Sequence, residues 1–198
     1  MREITLPSPN LDGSVSLEAA IAARRSVRSY GPEELSLDEI SQLLWSAQGV
    51  TGARPDRRAA PSAGALHPLE LFVCRSDGVW HYRPQGHRLI KHIDEDVREA
   101  LAQAAWKQTF LGKASVVFLM SAVIDRTTGK YQERGRVRYV PMDAGHAAEN
   151  MLLQAVVLGL GGVPVGAFQD AEVARVAHLP SDQDPLYLIP VGKLRGGE

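Results

Sequence analysis

The central stretch of the sequence, residues 143–162, reads DAGHAAENMLLQAVVLGLGG. From residue 147 to residue 158 its apolar residues cover nearly every position of a 3.6-residue period, which is typical of a helix. A helix that is apolar almost all round is buried on most of its sides. Gly161 and Gly162 then end it. We therefore predict that residues 143–160 form a helix packed deep inside the fold.

Shorter periodic segments on both sides of this helix predict a sheet and further helices. Strands are predicted at residues 69–75, 79–83, 114–123, 163–168 and 186–191, and further helices at residues 17–25, 36–48, 94–107 and 170–178. Ser36 and Glu39 form a capping box at the start of the second helix, and the Asp77-Gly78 turn joins the first two strands as a hairpin. This order predicts a mixed α/β or α+β domain with helices around one central sheet.

Two segments lack a clear period. Residues 49–68 are rich in Gly, Pro, Arg and Ala, and a loop of this length is functional or disordered in most compact domains. Residues 125–139 are polar and rich in Arg and Gly, which predicts a mobile or ligand-covering segment. We expect residues 1–15 to be an N-terminal extension and residues 16–198 to be a single domain.

The composition excludes several classes of function. Of 198 residues, 44% are apolar and 23% are charged, and the net charge is −1, which argues against a nucleic-acid partner. No segment approaches the roughly 20 apolar residues that cross a bilayer. The first 16 residues lack the pattern of a signal peptide. We therefore expect a cytoplasmic protein with no membrane partner.

The residues that bind metals or act as nucleophiles do not form a recognisable pattern. Cys74 is the single cysteine and lies in an apolar run, so it is interpreted as a small buried hydrophobic residue. His87 and His92 are five residues apart, and His146 has only Glu149 at one-turn spacing, so no metal site is predicted. A Gly-x-Ser-x-Gly elbow and a Walker loop are both missing, which disfavours the common hydrolases and kinases.

Three arginines and a serine form a cluster before the second helix, at Arg24, Arg25, Ser26 and Arg28. Guanidinium groups bind a phosphate dianion bidentately and do not lose their charge. The alternative is a solvated helix end, where the helix dipole favours cations in any case. Taken alone, the cluster favours the solvated helix end.

Two stretches of small residues could lie against a planar ligand. Residues 61–68, PSAGALHP, would let a flat ring approach the backbone, and a plain surface loop is the alternative. Residues 159–166, GLGGVPVG, close a helix and open a strand, which is the reverse of a dinucleotide-binding motif. This second stretch is either a tight helix-to-strand turn or a backbone wall against a ligand.

Taken together and in this order, several segments resemble the nitroreductase family of FMN enzymes. The matching stretches are residues 22–30 (AARRSVRSY), 43–50 (LLWSAQGV), 60–70 (APSAGALHPLE), 131–139 (YQERGRVRY), 143–150 (DAGHAAEN), 158–161 (LGLG) and 189–193 (IPVGK). They cover nearly the whole chain after residue 15. The third and fourth stretches are most similar to the SagB/ThcOx-type branch, which includes azoline-oxidising dehydrogenases.

The resemblance implies an α+β, nitroreductase-like fold in which two chains interlock as a homodimer. It implies two FMN molecules at the dimer interface, each touched by both chains. It also implies ping-pong hydride transfer from NAD(P)H through FMN to an electron-poor small-molecule acceptor, such as a nitroaromatic or a quinone. Because the flavin carries the redox chemistry, no catalytic side chain is assigned.

The resemblance also implies a set of cofactor contacts. They are Arg24, Arg25, Ser26 and Arg28 at the phosphate and ribityl chain, Pro61, Ser62, Ala63, Gly64 and Leu66 beside the isoalloxazine, Gly162, Val163, Pro164 and Val165 against the ring, and Lys193 near the phosphate. Two positions depart from the family. His67 stands where many members of the branch have Tyr, and Ala65 stands near the place where better-known nitroreductases have a flavin-contacting Asn.

Two alternatives to a nitroreductase-like enzyme follow from the same residues. One is a SagB/ThcOx-type dehydrogenase that oxidises a peptide azoline or a related substrate. The other is a non-catalytic protein that stores or senses FMN.

Overall fold

The protein is described here by a computed structural model covering residues 2–52, 54 and 57–195. Its centre is a seven-stranded sheet in the order β1-β4-β3-β2-β5-β7-β6. Neighbouring strands in this order pair antiparallel. The strands are β1 (Glu3–Thr5), β2 (Leu69–Arg75), β3 (Gly78–Arg83), β4 (Arg88–Ile93), β5 (Val116–Val123), β6 (Leu160–Gly162) and β7 (Gln183–Lys193).

Helices cover both faces of this sheet. They are α1 (Leu17–Ala23), α2 (Leu37–Gln48), α3 (Arg98–Ala104), α4 (Phe110–Lys113), α5 (Asp125–Tyr131), α6 (Val140–Val157) and α7 (Asp170–Val176). A 3-10 turn at Ala63–Ala65 and a π-helical stretch at Gly135–Tyr139 complete the elements. The predicted α+β class with a helix-flanked antiparallel sheet is confirmed.

Strands β2 and β5 divide the interior into two apolar layers because successive side chains of a strand point to opposite faces. In β2, Leu71 and Val73 pack into the layer shared with α2 and α6, whereas Phe72 and Cys74 pack into the layer shared with α3, α4 and α7. A strand that is buried on both faces reads as one continuous apolar run. The prediction of a buried strand at residues 114–123 is confirmed by β5 on this basis.

Capping explains why α1 and α2 begin where the sequence predicts. The Ser16 hydroxyl accepts the Ala19 N–H, and the Ser36 hydroxyl accepts the Glu39 N–H while the Glu39 carboxylate accepts the Ser36 N–H. The capping box is therefore confirmed. Helix α6 starts three residues earlier than predicted and ends at Val157, where Gly159 follows with a left-handed φ of +68°. The prediction that Gly161 and Gly162 end the helix was wrong, because both belong to strand β6.

Two strand predictions were wrong at the edges of the sheet. Strands β1 and β4 were missed, although they pair with each other and β4 pairs with β3. Residues 163–168 do not form a strand: β6 lies earlier, and of these residues only Val165 bridges to the sheet, at Leu188. Edge strands are short and half-solvated, so a long-range partner decides their pairing more than their own pattern does.

Residues 125–139, predicted as a mobile or ligand-covering segment, are helical, and their ligand-covering role stays a prediction. They form α5 and the π-helical stretch, which runs directly into α6. Their buried positions are Thr127 and Gly135, so no apolar period is visible in the sequence. A Cβ on Gly135 would lie 3.0 Å from the Thr127 carbonyl oxygen, so the missing side chain lets the two segments pack closely.

Most of the predicted loop at residues 49–68 is irregular apart from the 3-10 turn, while residues 53, 55 and 56 lie outside the described part of the chain. The proposed boundary after residue 15 stays a prediction. Residues 3–5 nevertheless belong to the sheet as β1, and the Asn10 N–H donates to the Gln42 side chain at 2.8 Å. Among the described residues, no helix is both long and apolar enough to cross a bilayer.

Candidate functional site

A cavity of about 640 Å³ lies between the end of α1, strand β6 and the side of α6. Backbone contacts build it: Ser26 bridges in parallel to Gly162, and the Val27 N–H donates to the Gly162 carbonyl at 3.1 Å. Its wall includes Arg25, Ser26, Arg28, Gly161 and Gly162, and we call this group the cradle. The fold therefore brings together two of the stretches that the sequence singled out.

Gly161 is required by close approach in the cradle. A Cβ at this position would lie 2.7 Å from Val27 Cβ and 2.8 Å from Leu194 Cδ2, closer than side-chain atoms pack. The chain after α1 can therefore lie against β6 only because residue 161 has no side chain. The glycine stretch is thus a backbone wall at a cavity as well as the turn that follows α6.

The four predicted phosphate contacts at residues 24–28 do not all face the cradle. Arg25, Ser26 and Arg28 line it, and the Arg28 guanidinium lies 5.9 Å from the centre of the Phe110 ring. Arg24 lies outside the lining residues, where its Nε is 3.4 Å from Glu149 Oε1. Arg25 also donates to the Ala22 carbonyl, at 3.0 Å, near the end of α1. Arg24 thus lies away from the cradle, whereas Arg25 both lines it and contacts the end of α1.

A buried carboxylate fixes a second predicted stretch, residues 61–66, which we call the Ser62 loop. Asp143, in the first turns of α6, is only 4% exposed. Its carboxylate accepts the Ser62 hydroxyl at 2.6 Å and the Ala63 N–H at 3.3 Å. The Ser62 oxygen in turn accepts the His67 N–H at 3.0 Å. Asp143 thus holds the start of the loop directly, and the Ser62 hydroxyl links it to His67 after the end of the loop, a role that the sequence analysis did not assign.

Gly64 brings two further side chains to the Ser62 loop. It has a left-handed φ of +63°, and a Cβ there would meet Tyr131 Oη at 2.8 Å and Lys130 Nζ at 3.1 Å. The Tyr131 ring is held edge-on against Tyr139, with 4.9 Å between the ring centres. The sequence analysis predicted a mobile or ligand-covering segment at residues 125–139, but it did not single out Lys130 or Tyr131 as site residues.

The cradle and the Ser62 loop lie towards opposite ends of α6. Asp143 holds the loop near the start of the helix, whereas Leu152 and Val156 line the cradle near its end. At 1.5 Å per residue these points are separated by roughly 13–20 Å along the helix axis. Within one chain, therefore, the two halves of the predicted cofactor site face different parts of the surface.

The remaining predicted contacts have other surroundings. Val163 and Val165 are buried in the layer of α3 and α7, and Pro164 between them is half-buried. The Lys193 ammonium pairs with the Glu39 carboxylate. Burial by itself would raise the pKa of Glu39, but the hydrogen bonds from Lys193 and from Ser36 outweigh it and hold the pKa below its ordinary value.

Metal and thiol chemistry find little support in the described part of the chain. Three His, Cys, Asp or Glu side chains that could share a metal ion do not come together there. Cys74 is fully buried, and burial, followed by the charge of Asp96, raises the pKa of its thiol to about 12. The thiol is therefore protonated at neutral pH, as the packing interpretation requires.

Several known proteins are similar to this chain in sequence and in fold. A sequence profile of the nitroreductase family matches residues 21–193. A protein of Methanocaldococcus jannaschii that is provisionally named a nitroreductase is 43% identical over 197 residues, covering 96% of each chain. The microcin B17-processing protein McbC of Escherichia coli is 28% identical over 162 residues, which are 74% of this chain and 57% of McbC.

Among solved structures, a Ralstonia eutropha protein that is also provisionally named a nitroreductase superposes with a TM-score of 0.88 at 28% identity. The match covers 99% of this chain and 91% of that one. The similarity to McbC agrees with the predicted SagB/ThcOx-type branch.

Proposed function

The chain belongs to the nitroreductase family, and from this premise we propose that it is an FMN-dependent oxidoreductase. It would pass hydride from NAD(P)H through the flavin to an electron-poor small acceptor. The observation that carries the proposal is the cradle, a cavity whose wall combines Arg25, Ser26 and Arg28 with the glycines at positions 161 and 162. A phosphate monoester on a slender chain is the group that such a wall admits.

The residues present fit the phosphate end of FMN. Arg25 and Arg28 would neutralise the dianion, and Ser26 would donate a hydrogen bond. Gly161 lets the chain after α1 lie against β6 and so form the cradle, because a Cβ there would meet Val27 and Leu194. Arg24 and Lys193 already have acidic partners, so we propose a weaker and longer-range role for them.

The Ser62 loop fits the edge of a flat ring. Its residues from Pro61 to Leu66 are exposed or half-buried, and Asp143 fixes the start of the loop before any ligand arrives. Bound FMN would supply the hydride chemistry. The chain's own groups would bind and orient it: Lys130 and Tyr131, which approach the loop at Gly64, are positioned to donate hydrogen bonds to a ligand seated there.

We further propose that the active form is a homodimer with two flavin sites. The loop of one chain would complete the cradle of its partner, which accounts for the separation of the two halves along α6. Exposed apolar side chains support a partner surface: Leu17 and Ile21 on α1 are 62% and 57% exposed, and Met142 on α6 is 51% exposed. The half-buried Val156 lies on the same helix.

The proposal is tested on the purified protein. The released chromophore should be FMN rather than FAD, and sedimentation equilibrium should show a dimer. In stopped-flow experiments NADH or NADPH should bleach the flavin, and a nitroaromatic or a quinone should restore the colour. A colourless protein that takes up no added FMN would overturn the proposal.

The similarity to McbC favours one second candidate, a SagB/ThcOx-type dehydrogenase acting on an azoline or a related substrate. In that case the organic substrate, and not a pyridine nucleotide, would bleach the flavin. A flavin that neither donor reduces would instead indicate a non-catalytic FMN-binding protein.

A further inference from the structure

A separate cavity of about 470 Å³ lies beside the Ser62 loop, where Leu66 and His67 form part of its wall. Three arginines line it, Arg58, Arg83 and Arg126, together with a single carboxylate, that of Glu70. We call it the arginine cavity. Arg83 and Arg126 are about half exposed, at 47% and 42% of their side chains, whereas Glu70 is only 10% exposed. Cations therefore surround the entrance and the carboxylate lies deep.

Glu70 does not neutralise the three arginines. Its Oε2 lies 2.6 Å from His81 Nε2, and its Oε1 lies 2.6 Å from Arg126 Nη2. Burial alone would raise the pKa of Glu70, but the hydrogen bonds from His81 and Arg126 lower it below its ordinary value, so the group is ionised. Arg83 is 3.9 Å away, at the limit of an ion pair. One negative charge thus faces three guanidinium groups.

Arg58 is held at the wall of the cavity. Its Nη1 donates to the Gln48 carbonyl at 3.1 Å, at the end of α2. Its Nε is buried and has no hydrogen-bond partner among the described residues. A guanidinium group keeps its charge at physiological pH, so the Arg58 side chain stays protonated. A third positive charge therefore lies at the cavity wall.

The arginine cavity is next to the proposed flavin loop. Arg126 Nη1 donates to the His67 carbonyl at 3.1 Å, directly after that loop. Arg126 and Lys130 are four residues apart on α5, so their side chains lie on one face, with Cβ atoms roughly 5–6 Å apart. Lys130 in turn approaches Gly64. A molecule anchored at Arg126 would therefore extend along α5 towards the Ser62 loop.

We propose that the arginine cavity binds an oxyanion, a carboxylate or a phosphate, carried by the acceptor substrate. This inference rests on the proposed function and narrows it: the acceptor is a small anionic molecule whose reducible group lies about one helical turn from its charge. Arg83 and Arg126 select the charge, and Arg58 adds a third positive charge at the wall of the cavity.

A matched pair of acceptors tests the inference on the flavin-loaded protein. 4-Nitrobenzoate carries the charge, and its methyl ester has the same ring and nitro group without it. Wild type should have the lower KM for 4-nitrobenzoate. Arg83→Gln and Arg126→Gln should each raise that KM about tenfold, the loss expected for one charge-assisted contact, and Arg83→Gln should leave the KM for the ester nearly unchanged. Arg175→Gln, an exposed arginine paired with Glu172, is the control.

Arg83 is the safer variant because it contacts Glu70 only at long range, whereas Arg126 also supports the His67 carbonyl. Equal KM values of wild type for the acid and the ester would overturn the inference. A rise in the KM of NADH or NADPH in Arg83→Gln, with the acceptor KM unchanged, would also overturn it, because the cavity would then bind the donor.

Direct binding separates failure of this inference from failure of the proposed function. Benzoate should raise the melting temperature of wild type and of Arg175→Gln, but not that of Arg83→Gln. If the flavin is never reduced but this pattern holds, the oxidoreductase proposal fails and the oxyanion site stands. If the flavin is reduced and benzoate has no effect on wild type, the oxyanion site fails alone.

Discussion

Replacing Asp143 by Asn should loosen the Ser62 loop while keeping the size of the side chain. The buried carboxylate accepts the Ser62 hydroxyl at 2.6 Å and the Ala63 N–H at 3.3 Å. The amide keeps one acceptor oxygen for Ala63 but turns an NH₂ group towards Ser62. The Ser62 oxygen already accepts the His67 N–H, so one charged hydrogen bond is lost without an equivalent replacement.

The size of this effect follows from the burial of Asp143. A hydrogen bond to a charged group contributes about 1.5–3 kcal/mol to stability. For a chain of this size, each kcal/mol shifts the melting temperature by roughly 2–4 °C, so Asp143→Asn should melt about 3–12 °C below wild type. If the loop holds the flavin ring, FMN affinity should also fall by about tenfold, the equivalent of 1.4 kcal/mol.

Thermal unfolding of the apoprotein and fluorescence titration with FMN measure the two effects. Asp184→Asn is the matched control, since Asp184 is an exposed carboxylate paired with Arg136. A double-mutant cycle with Ser62→Ala should give a coupling energy in the range of about 0.5–3 kcal/mol for contacting residues. The reasoning is refuted if Asp143→Asn melts at the wild-type temperature and binds FMN as tightly as wild type.

Three further predictions concern the cradle and its surroundings. Gly161→Val should abolish FMN retention, because even a Cβ there lies within 3 Å of neighbouring side chains; a full flavin spectrum would contradict this. Arg28→Ala should weaken FMN binding by about ten- to a hundredfold in fluorescence titration, and Arg24→Ala clearly less, since only Arg28 lines the cavity; equal losses would refute the distinction. Because the pKa of Glu39 is lowered in the folded state, its pair with Lys193 stabilises the fold above the ordinary pKa of 4.5, and this stability is lost as pH falls through the lower folded value. In urea unfolding, the free energy of unfolding of Glu39→Gln should therefore lie further below that of wild type at pH 7 than in acid. An equal difference at both pH values would count against the pair.

Much of the candidate site could be named from the sequence, although its arrangement could not. The arginine cluster, residues 61–66 and the glycine stretch were all singled out as composition and motif. Their surroundings were not: Arg24 pairs with Glu149, and Lys193 pairs with Glu39 across 154 positions of the chain. The residues next to Lys193 in the sequence do not indicate that Glu39 is its partner.

The residues that the sequence analysis missed share one property. Asp143 contacts Ser62 from 81 positions away, and Lys130 and Tyr131 meet Gly64 only because residues 125–139 are helical and not open. Each role depends on a partner distant in the chain. The local sequence pattern does not indicate such a partner, so it predicts only those site residues whose type alone suggests binding.

The sequence by itself determined the features that depend on neighbouring residues. The capping box at Ser36, the β2–β3 hairpin and the two-sided burial of β5 all follow from local hydrogen bonding and from side-chain period. Tertiary structure alone decided the edge strand β1 and its neighbour β4, the surroundings of the arginines, and the distance between the cradle and the Ser62 loop along α6. The physical reason is that edge pairing, buried ion pairs and cavities are contacts between distant segments, whose free energy exists only once the chain has packed.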